Sequence, residues 1–202
     1  GNEVKLVLAS KNPHKLKELG DILSELGVEV LLESEAGVDV EVEETGTTFE
    51  ENALLKARAV CEASGLPAVA DDSGLCVDAL NGAPGVYSAR YGGEGLSDTD
   101  RYRLLLENMR GQLDRRCRFV SAICCAFPNG DTVTARGECA GTLAYAPKGA
   151  DGFGYDPVFF VPGLKKTFAE LTPQEKNAVS HRGAALREFK VELENYLHGT
   201  DQ

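Results

Sequence analysis

The chain opens on an apolar run, Val4 to Ala9, broken by Ser10-Lys11-Asn12-Pro13. Beyond the break, Leu16, Leu19, Ile22, Leu23 and Leu26 recur at the spacing of a helix face, and Gly27 stands where a C-terminal cap belongs. Val28 to Leu32 then reads as a second strand. Strand, helix, strand favours an α/β fold with at least some parallel pairing. Past an acidic stretch, Asp39 to Glu44, the run Thr48-Phe49-Glu50-Glu51 fits a capping box of Thr48 with Glu51. The helix it starts carries Phe49, Ala53, Ala57 and Val60 on one face and should end at Ser64-Gly65. Leu66 to Ala70 is a short strand leading into Asp71-Asp72-Ser73-Gly74. Residues 81–97 are rich in glycine and read as loop, and Asp98 or Thr99 should cap a helix reaching about Met109. Phe119 to Phe127 is apolar on both alternating faces, the mark of a central strand. The turn Pro128-Asn129-Gly130-Asp131 sends Thr132 to Cys139 back as a hairpin, so the sheet should be mixed. Gly149 to Tyr155 is a loop before a strand at Val158 to Val161. Helices near Pro173–Val179 and from about Gly183 to Leu197 finish the chain. No repeat, linker or boundary divides the 202 residues, so a single domain, with room for a second lobe, is expected.

Charge changes the picture more than composition does. The net charge is −11, which disfavours nucleic acid as a partner, because such binding depends on Lys and Arg meeting phosphates. A phosphorylated small ligand would need basic residues gathered locally, so the position of each one is informative. No apolar run approaches the ~20 residues that span a bilayer, and the first residues lack the pattern of a signal peptide. Six cysteines occur without a Cys-x-x-Cys pair or a zinc-like spacing. Cys124 and Cys125 sit in an apolar run and read as core, and a reducing cytoplasm is the expected setting.

Three clusters carry candidate chemistry. In the first, Asn12 suits a helix N-cap and Pro13 the first helical position, which leaves backbone N–H groups and a positive dipole end for an anion. Ser10, Lys11 and Lys15 add donors at the same turn, although a capped helix with two solvated lysines fits equally well. In the second, Asp71-Asp72-Ser73-Gly74 lies at the C-terminal end of a strand, where open α/β sheets bind ligands. Its two carboxylates and hydroxyl can hold a hard cation and orient a water, with Glu43 or Glu44 as a further ligand. So few carboxylates suit magnesium shared with a nucleotide; the plain alternative is a tight turn of turn-forming residues. In the third, Phe153 and Tyr155 in Gly152-Phe153-Gly154-Tyr155-Asp156-Pro157 offer rings for stacking on a base, or for a core. Lys176 and Ser180-His181-Arg182 follow near helix starts and supply planar donors for a base edge or a phosphate.

Together the clusters resemble the inosine triphosphate pyrophosphatase (Ham1-like) family of nucleotide-pool housecleaning enzymes. The likeness spans nearly the whole chain. It rests on Ser10-x-Asn12-x-x-Lys15, on Glu43-Glu44-Thr45-Gly46-x-Thr48-Phe49-x-Glu51-Asn52-Ala53 and on Ala70-Asp71-Asp72-Ser73-Gly74-Leu75. It continues through Gly82-x-Pro84-Gly85-Val86-Tyr87-Ser88-Ala89-Arg90, Gly152 to Pro157 and Ser180-His181-Arg182. Ala150-Asp151, beside Gly152, departs from the pattern and bears only on local loop shape.

The resemblance implies an elongated, two-lobed α/β fold with a long mixed sheet, flanking helices and a deep cleft, and a homodimer. It implies hydrolysis of the triphosphates of inosine, deoxyinosine and xanthosine (ITP, dITP, XTP) to monophosphate and pyrophosphate, with magnesium. By residue, it implies phosphate binding by Ser10, Lys11, Asn12, Pro13, His14 and Lys15, with Lys56 as a further phosphate contact. It implies magnesium on Glu43 and Asp72, with Glu44 as the alternative to Glu43, and Asp72 as general base. Ser73, Phe153, Gly154, Tyr155, Asp156, Lys176, His181 and Arg182 are implied as nucleotide contacts. Two other readings stay open at this stage: a Maf-like pyrophosphatase of modified pyrimidine triphosphates, and a catalytically silent nucleotide-binding protein.

Overall fold

The computed structural model describes residues 4–10 and 13–199, with the side chains of Pro13 and His14 left out. Seven strands form one sheet in the order β2-β1-β3-β4-β5-β6-β7. The strands are β1 (Val4–Leu8), β2 (Val28–Leu32), β3 (Ala68–Val77), β4 (Arg116–Ala126), β5 (Thr132–Leu143), β6 (Phe159–Val161) and β7 (Lys166–Thr167). The helices are α1 (Pro13–Ser24), α2 (Phe49–Ser64), α3 (Asp98–Asn108), α4 (Pro173–Val179) and α5 (His181–His198). β1 pairs parallel with β2 and with β3, while β5–β6 and β6–β7 are antiparallel, so the sheet is mixed.

The chain divides into two compact units. The first comprises residues 1–72, 121–137 and 185–202. Here the two-residue period of the strands sorts side chains to two helix layers. Leu6, Leu8 and Val69 face α1 and α5, packing with Leu19, Leu23, Phe189 and Leu193. Val7, Ala68 and Ala70 face the other way, onto Ala57, Val60 and Cys61 of α2. The second unit comprises residues 73–120 and 138–184. Its core gathers Leu75, Val77, Phe119, Leu143, Phe159 and Phe168 with Leu105 of α3 and Met109, its C-cap. The opposite face of β4 and β5 there carries exposed Arg118 and Glu138, paired at 3.0 Å.

Local chemistry fixes the helix ends. The Thr48 hydroxyl accepts from Glu51 N, and Gly65 closes α2 in the left-handed conformation. The expected capping box is only half formed: the Glu51 carboxylate accepts from Thr47 N and Thr47 Oγ1 instead of Thr48 N. Full boxes do occur at Ser97/Asp100 before α3 and at Thr172/Glu175 before α4. Ser97 therefore caps α3, one residue ahead of expectation. α5 starts at His181, earlier than the expected Gly183, because Ser180 Oγ accepts from Gly183 N at 3.0 Å.

One expectation fails in an informative way. Asp71-Asp72-Ser73-Gly74 is neither a turn nor a strand end, because β3 runs straight through it to Val77. Residues 81–97 are not all loop either; Gly85–Arg90 forms a 3-10 helix. All six cysteines are free and buried, and burial pushes the Cys117 thiol up to about 12 and that of Cys124 to about 11. They are core residues, not nucleophiles. Among the described residues, no helix is long and apolar enough to cross a membrane.

Candidate active site

Because β3 continues through the acidic motif, its neighbouring carboxylates leave the strand on opposite faces. Asp71 follows Val69 toward α1, and its carboxylate takes Lys15 Nζ at 2.9 Å. Asp72 follows Ala70 toward α2, where Lys56 waits. Lys56 Nζ donates to Asp71 O at 2.6 Å and to Glu44 Oε1 at 2.8 Å, and lies 4.0 Å from Asp72 Oδ1. One ammonium thus gathers Glu44 and Asp72 around itself. Glu43, the neighbour of Glu44, is exposed.

Asp72 is poised for proton chemistry. Burial raises its pKa from 3.8 to about 6; Lys56 opposes the rise, Glu44 adds to it, Asn52 opposes it and Asp71 adds slightly. Its Oδ2 is buried and completes no hydrogen bond among the described residues. A buried carboxylate oxygen without a donor is costly unless a cation or water meets it. The donor set therefore fits a hard divalent ion that takes one or two protein carboxylates and fills its remaining positions with water and phosphate oxygens. Of the implied phosphate-binding turn, Ser10 is half-buried, while Lys11, Asn12 and the side chains of Pro13 and His14 lie outside the described residues.

The second unit assembles the other group of candidates. Asp156 is buried, and its Oδ2 accepts from Lys176 Nζ at 2.6 Å and from Phe153 N at 3.0 Å. Burial raises its pKa, with the opposing pull of Lys176 and Arg182. Lys176 Nζ also stands 4.9 Å from the centre of the Phe153 ring, a cation–π distance. The two aromatics of the loop part company. Phe153 is 58% exposed, whereas Tyr155 is buried and its hydroxyl donates to Ser88 O at 2.7 Å. Gly154 N donates to Asp98 Oδ2 at 2.9 Å, tying the loop to the start of α3. Gly152 has φ +79°, and a Cβ there would sit 2.2 Å from Asp156 Oδ2, so the loop closes on its own carboxylate only with glycine. His181 is buried and stacked on Phe119 with ring centres 4.6 Å apart. Arg182, next along α5, is half-buried, as is Ser73 on β3.

A model of the Ham1 family matches residues 6–192, nearly the full chain. This chain belongs to the Ham1 family. Among curated Ham1 relatives, the dITP/XTP pyrophosphatase of Exiguobacterium sp. is 52% identical over 97% of this chain and all of its own. That of Clostridium perfringens is 46% identical over 96% of this chain and 98% of its own. Among solved structures, a HAM1 protein from Coxiella burnetii aligns with a TM-score of 0.90 at 44% identity, over 94% of this chain and 98% of its own. The Staphylococcus aureus Ham1 protein aligns at 0.88 and 42% identity, over 98% of this chain and 100% of its own.

Within this Ham1 chain, sequence reasoning passed over Asn52 and Ser88. Asn52 is fully buried beside Asp72, and Ser88 Oγ accepts from Leu75 N at 2.9 Å while its carbonyl takes the Tyr155 hydroxyl. A signal existed for the first: Asn52 interrupts the apolar face of α2 next to Ala53 and stands one turn before Lys56. A signal also separated Glu44 from Glu43. Val38, Val40 and Val42 alternate with Asp39, Glu41 and Glu43, so the inward side of that segment continues to Glu44.

Proposed function

We propose that this protein hydrolyses dITP, ITP and XTP to the monophosphate and pyrophosphate, clearing deaminated purines from the nucleotide pool. The observation that carries the reading is the end-to-end likeness to dITP/XTP pyrophosphatases at about half identity. The chemistry at Asp72 agrees with it. A carboxylate with a pKa near 6 is ionised at neutral pH and still basic enough to take a proton from water. Asp72 orients and deprotonates the water that attacks the α-phosphorus, and pyrophosphate leaves. Phosphoryl transfer of this kind is mostly positioning and charge compensation. Lys15 and Lys56 supply positive charge for the triphosphate, with Ser10 and residues 11–14 as the further phosphate contacts that the resemblance implies.

Glu44 and Asp72 would hold magnesium, which offsets negative charge on the phosphates. Glu44 replaces Glu43 as the preferred partner of Asp72 because it shares Lys56 with it, whereas Glu43 is exposed. For the base, Phe153 offers a stacking face, while Tyr155 serves by anchoring the loop from beneath. Arg182 donates to the 6-keto oxygen of hypoxanthine or xanthine, and adenine, with a 6-amino donor, would leave it unpaired. A mismatch of that kind is worth about 10⁴-fold. Guanine shares the 6-keto group, so rejection of GTP has to act at position 2. The chain acts as a single catalytic domain, a homodimer in the cytoplasm, where its six thiols stay reduced.

Pyrophosphate release from dITP, XTP, ATP, GTP and dTTP, with magnesium and with EDTA, tests the assignment. Activity confined to dITP and XTP and lost with EDTA is expected. Preference for a pyrimidine triphosphate, or no release from any, would overturn it.

A further inference from the structure

Asn52 is a fully buried amide beside Asp72, and the pyrophosphatase chemistry proposed above leaves it without a part. It lies on α2 one turn before Lys56, with 0% exposure. Gly46 N donates to its Oδ1 at 2.8 Å, which fixes the orientation of the amide. The oxygen end is taken, so the other end is an NH2 that can only donate. That Nδ2 is buried and completes no hydrogen bond among the described residues, and neither does Asp72 Oδ2. A buried donor and a buried acceptor left open in the same pocket each carry a desolvation cost that a hydrogen bond between them, direct or through one water, would remove.

We propose that Asn52 is the positioning residue of the catalytic carboxylate: its Nδ2 donates toward Asp72 Oδ2, directly or through a water, and fixes the direction of the carboxylate. Its Oδ1 at the same time pins Gly46, two residues past Glu44, so one amide holds both carboxylates of the site in register. The fit is close. A Cβ on residue 46 would lie 2.7 Å from Asn52 Oδ1, so the segment can reach the amide only as glycine.

The assignment rests on the pyrophosphatase activity, and the experiment separates the two. Steady-state pyrophosphate release from dITP with saturating magnesium is measured for the wild type, Asn52→Asp and Asn52→Leu, with thermal denaturation to check folding. Asn52→Asp keeps an acceptor for Gly46 and removes the NH2 donor but adds a carboxylate beside Asp72, so it is read against Asn52→Leu, which removes the donor without adding charge. Both variants should lose ~10- to 100-fold in kcat, the usual effect of losing an outer-shell partner, with KM for dITP within about twofold of wild type. Wild-type kcat in Asn52→Asp, or a KM that rises as kcat falls, overturns the positioning role. If Asn52→Leu does not fold, Asn52→Ala takes its place as the uncharged variant. A wild type inactive on dITP refutes the activity, and the role of Asn52 with it; an active wild type matched by Asn52→Asp refutes the role only.

Discussion

Replacing Asp72 by asparagine should stabilise the metal-free protein while abolishing its activity. Burial raises the Asp72 pKa from 3.8 to about 6 even though Lys56 lies 4.0 Å away. The folded state therefore binds the proton more tightly than the unfolded chain does. Stability from this group is fully present below pH 3.8 and is lost as the pH rises through 6. Each pKa unit is worth 1.36 kcal/mol, so ionised Asp72 costs the fold up to about 3 kcal/mol at pH 8. The side chain is only 13% exposed, so solvent screens little of that cost. Asparagine mimics the neutral acid in shape and carries no charge. Urea unfolding in EDTA at pH 8 should place Asp72→Asn about 1–3 kcal/mol above wild type, and the gap should shrink toward zero near pH 4. Magnesium should then raise the midpoint of the wild type more than that of the variant, which keeps Glu44 but loses the charged ligand at residue 72. An Asn variant no more stable than wild type at pH 8 would refute the view that Asp72 is held ionised at a cost to the fold.

Three further outcomes follow from the second unit. Lys176→Met leaves buried Asp156 without its ammonium partner, raises its pKa further and should cost roughly 3 kcal/mol at neutral pH; urea midpoints should fall more at pH 8 than at pH 5, and an equal fall at both would count against it. Gly152→Ala places a methyl against Asp156 Oδ2 in a left-handed backbone, so KM for dITP should rise at least about tenfold, measured by pyrophosphate release. Arg182→Ala should lose more kcat/KM on ITP than on ATP; equal losses would mean that Arg182 does not read the base.

Helix limits were legible where side chains made them. α2 starts after its Thr48 cap and ends at Gly65, α4 falls on the expected Pro173–Val179, and leucine spacing finds α1, although the helix ends at Ser24, short of Leu26. What the sequence misled on was the middle of β3. Asp, Ser and Gly favour turns locally, but pairing in the sheet overrides that preference, because strand propensity is mostly context. The fate of Phe153 and Tyr155 was hidden for a related reason. Two rings two residues apart in a glycine-rich loop are distinguished only by Ser88, far away in sequence, which claims the tyrosine hydroxyl. Asn52 showed in the sequence only as a break in the apolar face of α2; its full burial beside Asp72 depends on the packing around it.

The split of Asp71 and Asp72 between the two faces of β3 bears on how such a chain can change over generations. Substitutions along the strand alter one face at a time. Inserting or deleting a single residue between 68 and 71 would instead rotate everything beyond it by half a turn, sending Asp72 to Lys15 and Asp71 to Lys56 and Glu44. The two aspartates would remain side by side in the sequence, and an alignment would still score them as matched. Asp72 would nevertheless be on the wrong side of the sheet from Lys56 and Glu44. In this protein a gap of one residue is a more drastic mutation than most changes of side chain.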